Sequence, residues 1–136
     1  MADLSQTAAN VKPGENITPK MRQAGEAITQ GMPYYVSTTD SKAYQTDAND
    51  GAAKAEVRGI ALTGAALDGW FVAQDEGLIN LGATLAVGTI FVVSATKGAI
   101  CPIADITSGQ YVSPLGVATT TSLLSLKPDP SGVTKA

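Results

Sequence analysis

Histidine is absent from the 136 residues. The chain therefore lacks the side chain whose unperturbed pKa best suits proton transfer near neutrality, and with it the commonest transition-metal ligand. A Ser-His-Asp or Cys-His centre is excluded outright. Cys101 is the only cysteine, which rules out an intrachain disulfide and leaves its thiol the expected part of a small buried hydrophobe. No apolar run approaches the length that spans a bilayer as a helix. Met1 to Asn10 holds no basic region followed by an apolar stretch. The expectations are synthesis and folding in the cytosol and no membrane partner.

Charge is scarce as well. Charged residues make up 15% of the chain against 44% hydrophobic, and the net charge is -3. Phosphate neutralisation needs clustered Lys and Arg, and no such cluster occurs, so no nucleic-acid partner is expected. So weakly charged a surface is expected to meet other protein over part of its area. Aromatic residues are few too: four Tyr, two Phe and Trp70. The core must be filled mainly by Val, Ile, Leu and Ala.

What is present is a succession of short β-branched or aromatic runs punctuated by glycine, the pattern of strands joined by tight turns. It predicts strands near 27–29, 32–37, 57–63, 70–74, 78–81, 89–94, 99–103, 110–119 and 122–126, and a helical turn or two at 50–55. The predicted fold is all-β, a compact barrel or sandwich. Residues 1–24 read as an N-terminal arm because Pro13, Gly14 and Pro19 interrupt any periodicity. Residues 25–126 read as the β domain. Residues 127–136, with Pro128, Pro130 and Gly132, read as a tail lying on the surface or moving freely.

An internal repeat supports the β assignment. GEAITQGMPYYVSTT, from Gly25 to Thr39, lies 57 positions before GATLAVGTIFVVSAT, from Gly82 to Thr96, and five of the fifteen aligned positions are identical. The same spacing sets Gly59-Ile60-Ala61 against Gly116-Val117-Ala118. Residues 25–63 and 82–120 are therefore expected to be related halves sharing one core.

Reactive motifs are weak. Ser94-Ala95-Thr96-Lys97 has the Ser-x-x-Lys spacing of some acyl-transfer enzymes, but it follows the apolar run IFVV and precedes Gly98, so it reads as a strand-end turn. Asp47-Ala48-Asn49-Asp50-Gly51 resembles the start of a calcium loop, yet its glycine falls one position early and Arg58 stands where a bidentate acid belongs. It reads as a polar turn entering the short helix. Asp75-Glu76-Gly77 reads as a hairpin turn. Asn16-Ile17-Thr18 is formally a glycosylation sequon but follows no secretory signal. No catalytic residue, metal or cofactor is expected.

Two adjacent aromatic pairs stand out. In a strand, Tyr34 and Tyr35 face opposite sides, and so do Trp70 and Phe71. Each pair must send one large group outward, which makes these four residues the candidate contacts of an oligomer.

Arg22 to Val36 (RQAGEAITQGMPYYV), Arg58 to Leu62 (RGIAL) and Leu115 to Thr119 (LGVAT) together resemble the small decoration, or cement, proteins of tailed bacteriophages. The resemblance covers about residues 20 to 134 and rests on glycine-punctuated apolar patterns. It implies a non-enzymatic β domain, a homotrimer, bound to the major capsid protein on the outer surface of the virion head, often with arms engaging that protein. Val11, Lys12, Ile17, Lys20 and Met21 would be the contacts of such an arm. The alternatives are another virion β module, a head-fibre base or a tail-associated domain, and a carbohydrate-binding β domain with Tyr35 or Trp70 as its stacking face.

Overall fold

Short runs of β-branched and aromatic side chains extend as strands wherever a neighbour completes their hydrogen bonds. In the computed structural model, which describes residues 3–14 and 17–136, they form β1 (Val11–Pro13), β2 (Lys20–Gln23), β3 (Pro33–Val36), β4 (Ala43–Gln45), β5 (Gly59–Ala61), β6 (Trp70–Gln74), β7 (Gly77–Leu81), β8 (Ile90–Val93), β9 (Ile100–Pro102), β10 (Pro114–Ala118) and β11 (Leu123–Leu126). Among the described residues, helix is confined to α1 (Ala52–Ala55) and two 3-10 turns at Ala8–Asn10 and Ile103–Asp105. The strands make two antiparallel sheets, ordered β1-β7-β11-β10-β8-β9 and β2-β6-β5-β3-β4. The arrangement is sandwich-like rather than a closed barrel. Val57, Ile60 and Leu62 from the five-stranded side join Ile79, Leu81, Phe91, Val93, Leu124 and Leu126 from the six-stranded side in one core.

The two sheets share one construction. Setting β1 aside, the order β2-β6-β5-β3-β4 maps strand for strand onto β7-β11-β10-β8-β9. Register matches as well as order. Tyr34 lies opposite Gln45 and Gly59, and Phe91, 57 positions on, lies opposite Pro102 and Gly116. Gly31 (φ +95°) and Gly88 (φ +84°) occupy the left-handed region, and their N–H groups donate at 2.8 Å to Ala61 O and Ala118 O. Ser37 N–H donates to Lys42 O as Ser94 N–H does to Ala99 O. The correspondence extends beyond 25–63 and 82–120 to take in β2 with β7 and β6 with β11. There the offset changes because the second half has the shorter connection: Ala61 pairs with Ala73, whereas Ala118 pairs with Leu124.

Glycine is required twice for the same reason. A Cβ on Gly59 would collide with the carbonyl oxygen of Gln74, and one on Gly116 with that of Ser125, the residue in the matching place on the neighbouring strand. The cores correspond too. Ile28, Tyr34, Ala43 and Ala61 belong to a smaller cluster beside the five-stranded sheet; their counterparts Leu85, Phe91, Ile100 and Ala118 are all buried in the main core. Tyr34 and Phe91 are nearly equal in size, whereas Ala43 is much smaller than Ile100, so the matching positions are filled to different volumes in the two clusters.

The structure corrects several expectations. The stretch read as a free-standing arm, 1–24, supplies strands to both sheets where it is described: β1 pairs with β7, and β2 with β6. Pro13 did not preclude this because β1 is an edge strand and needs no ladder donor on its outer side. β4, from the polar context Ser-Lys-Ala-Tyr-Gln-Thr, was not expected, and the strand near 27–29 reduces to an isolated bridge between Ile28 and Ala65. Asp75-Glu76-Gly77 is no hairpin turn; it carries the chain from β6 in one sheet to β7 in the other. The tail lies along 109–115, tied by bonds such as Lys127 N–H to Leu115 O, Ser131 N–H to Val112 O and Lys135 N–H to Gln110 O.

Candidate functional site

The alternation of β3 and β6 decides the aromatic pairs. Tyr34 and Phe71 turn inward, 0% and 1% exposed, and meet edge to face with ring centroids 5.5 Å apart. They are core residues, not the oligomer contacts expected of them. Tyr35 and Trp70 are the outward members. Tyr34 is tied further by its phenol: the hydroxyl donates to Asp75, Arg22 Nε donates to the same hydroxyl at 3.0 Å, and Arg22 Nη2 pairs with Asp75 Oδ2 at 2.8 Å. Burial, and then the Asp75 carboxylate, hold the phenol well above its usual range. This closed ring of three groups is structural. No local pattern signals it, because its members are 12 to 53 residues apart.

Trp70 finds company from an unexpected quarter. β2 is an edge strand whose register sets Gln23 opposite Trp70 and Met21 opposite Val72, so Met21 and Trp70 lie diagonally on one face. They are 60% and 61% exposed, and Leu67, in the loop leading into β6, is 64% exposed. Met21 and Trp70, singled out separately in the sequence, thus form one apolar patch at a sheet edge. Lys20 alternates to the opposite face of β2 and is exposed, as is Lys12 on β1. Val11 and Ile17 are different: Val11 is 2% exposed in the core and Ile17 packs against it. Val11 is therefore not available as an arm contact, whereas Ile17 keeps part of its surface exposed. Asn16 of the sequon lies outside the described residues.

A second apolar surface was not legible in the sequence. Ile90 lies opposite Val117, Val117 opposite Ser125, and Ser125 opposite Leu78. This row crosses four strands of the six-stranded sheet, with Ile90, Val117 and Leu78 at 41%, 37% and 38% exposure. Ile60, the counterpart of Val117, is fully buried. The same pattern position is inside in one half and outside in the other, and no periodicity distinguishes them.

The reactive motifs resolve into local structure. Lys97 pairs with Glu26 at 2.7 Å, while Ser94 is buried at 0% and its hydroxyl donates to Asp3 and accepts from Thr96 N–H. Asp47 accepts from Asn49 N–H at 2.9 Å, and Asp50 pairs with Lys54 of α1 at 2.6 Å. Among the described residues no group of three or more His, Cys, Asp or Glu is placed to hold a metal ion. Cys101 is buried, and that burial pushes its thiol up to about 11.

Comparison with protein-family models, with curated proteins and with solved structures finds no match to this chain. Its chemistry is read from its own residues. They offer two apolar surfaces, at Met21 and Trp70 and at Ile90, Val117 and Leu78, and a polar recess beside Tyr35.

Proposed function

We propose that this chain is a non-enzymatic virion structural protein that binds the outer surface of an assembled tailed-phage head and stabilises it by bridging subunits of the major capsid protein. The observation that carries the reading is the Met21–Trp70 patch. Two large apolar side chains, each more than half exposed on a sheet edge, are what a partner surface would cover. The resemblance of residues 22–36, 58–62 and 115–119 to decoration proteins supplies the partner class.

Binding only the assembled head adds stability to it by linkage, since separating capsid subunits then also breaks these contacts. A lightly charged surface suits this role, as few groups need desolvation when it docks. The protein acts as a homotrimer, with Ile90, Val117 and Leu78 as the apolar surface covered between copies. Tyr34 and Phe71 take no part in it.

Co-sedimentation of the purified protein with expanded, undecorated heads tests the reading. The native chain should bind saturably, and Trp70→Ser with Met21→Ser should weaken binding by about 10-fold or more. Absence of native binding overturns the proposal.

A further inference from the structure

The duplication makes each position in one sheet a control for its counterpart in the other. Tyr35 faces Tyr44 across β3 and β4, and their counterparts Val92 and Cys101 face each other across β8 and β9 in the same register. Val92 and Cys101 are buried at 0%. The two tyrosines instead stay partly exposed and line a recess of about 230 Å3 with Glu26, Gln45, Lys54 and Lys97. Core packing explains the aliphatic pair and leaves the aromatic one unexplained.

The tyrosine rings stack, with centroids 5.7 Å apart and planes 25° from parallel. Tyr44 is fixed: the backbone at Gly25 lies so close that a Cβ there would overlap its ring, and its hydroxyl donates to Asp40 at 2.5 Å. That bond raises the Tyr44 phenol to about 12. No hydrogen bond ties the Tyr35 hydroxyl to the described residues, and partial burial raises its pKa, so it stays a neutral donor and acceptor. Around it Lys97 pairs with Glu26 at 2.7 Å and Lys54 with Asp50 at 2.6 Å, and Asp47, which also lines the recess, accepts from Asn49 N–H.

This arrangement discriminates among ligands. A phosphate would meet Glu26, Asp47 and Asp50, and a metal ion would meet two ammonium groups. What fits is an uncharged, hydroxyl-rich molecule with one apolar face, which is the description of a neutral sugar ring. Its C–H face would pack on an aromatic ring, while its hydroxyls bond to the free Tyr35 hydroxyl and to Glu26 and Lys97, which can both hold each other and accept or donate further bonds. The volume lies below the roughly 300–1,000 Å3 of drug-sized sites, so it takes one ring. We propose that this recess binds a single neutral hexopyranose ring. The site shares no residue with the Met21–Trp70 patch, so it stands or falls apart from head attachment.

Titration of the full chain with methyl glycosides of glucose, galactose, mannose and N-acetylglucosamine, and with N-acetylneuraminic acid as the charged comparison, followed by amide NMR, tests this. At least one glycoside should shift the Tyr35, Tyr44 and Gln45 amides saturably. Tyr35→Val, which installs the residue the sister strand already carries, should keep a native spectrum and bind about 10-fold more weakly or not at all. Lys97→Met, at an exposed rim position, should also weaken binding and decides the matter if Tyr35→Val does not fold. Three results overturn the proposal: no saturable shift with any of the four glycosides, undiminished binding by a folded variant, or tighter binding of N-acetylneuraminic acid than of every neutral sugar.

Discussion

The Tyr34 hydroxyl donates to the Asp75 carboxylate, and this bond links an interior strand of the five-stranded sheet to the segment that crosses to the six-stranded one. Arg22, from the edge strand β2, completes the ring. Phe91, in the matching place of the second half, is buried without a hydroxyl. The network is thus a feature of one half only, added to a position that both halves use for packing.

Removing parts of this ring should destabilise unequally. Tyr34→Phe leaves Arg22 and Asp75 paired and should cost about 1–2 kcal/mol. Asp75→Ala leaves the buried hydroxyl and the guanidinium without their acceptor and should cost about 2–4 kcal/mol. Urea unfolding measures both, and midpoints that match the parent's in both variants would show that the ring contributes nothing to stability.

Stability should fall at alkaline pH in two stages. Tyr34 and Cys101 both have pKa values raised in the folded state, by burial first in each case. Their neutral forms therefore favour the fold fully below the unfolded values, about 8.5 for a thiol and about 10 for a phenol. That contribution is lost as pH rises toward the folded values, about 11 for Cys101 and higher for Tyr34. Unfolding free energy measured from pH 7 to 11 should begin to decline above about pH 8.5 and steepen above about 10. Cys101→Ala should remove the first stage alone, and a flat profile to pH 11 would contradict the burial of both groups.

Gly59→Ala and Gly116→Ala should each destabilise by about 2–4 kcal/mol, because in both the new methyl meets a carbonyl oxygen of the neighbouring strand, joined at Gly59 by the Asp75 carboxylate. Gly116 should be the worse, since its φ of +154° is also unfavourable for a side chain. Thermal unfolding of the two variants compares the halves directly; an unaffected midpoint in either would show that the close approach is not shared.

The N-terminal segment should prove necessary to the fold. Deleting residues 2–13 removes β1 and the buried Val11, and Val11→Ala alone should cost about 2 kcal/mol, or on the order of 5–10 °C in thermal midpoint. A deletion variant that melts like the parent would restore the reading of a detachable arm.

The repeat was legible in the sequence because its glycines and apolar residues recur at one spacing, and the paired registers of Tyr34 with Gly59 and Phe91 with Gly116 follow it. The run Trp70–Gln74 was legible because it opens on three consecutive strong strand formers, Trp70, Phe71 and Val72. β1, β2 and β4 were not: Lys12, Pro13, Lys20 and Gln45 carry no strand signal, and each of these strands lies at a sheet edge where one neighbour suffices. Edge strands are held by tertiary pairing, which propensity does not record. For the candidate site, alternation showed that each aromatic pair must split but not which member turns outward. The recess at Tyr35 depends on Lys97 reaching Glu26 across 71 residues, a proximity no local pattern contains.

Head reinforcement is measured most directly by heating expanded, undecorated heads with and without the purified protein and recording the temperature at which they lose integrity. Saturating native protein should raise that temperature, and the variant carrying Met21→Ser and Trp70→Ser, folded like the parent by circular dichroism, should leave it near the undecorated value. An unchanged temperature with native protein, or an equal rise with the variant, would contradict reinforcement through this patch.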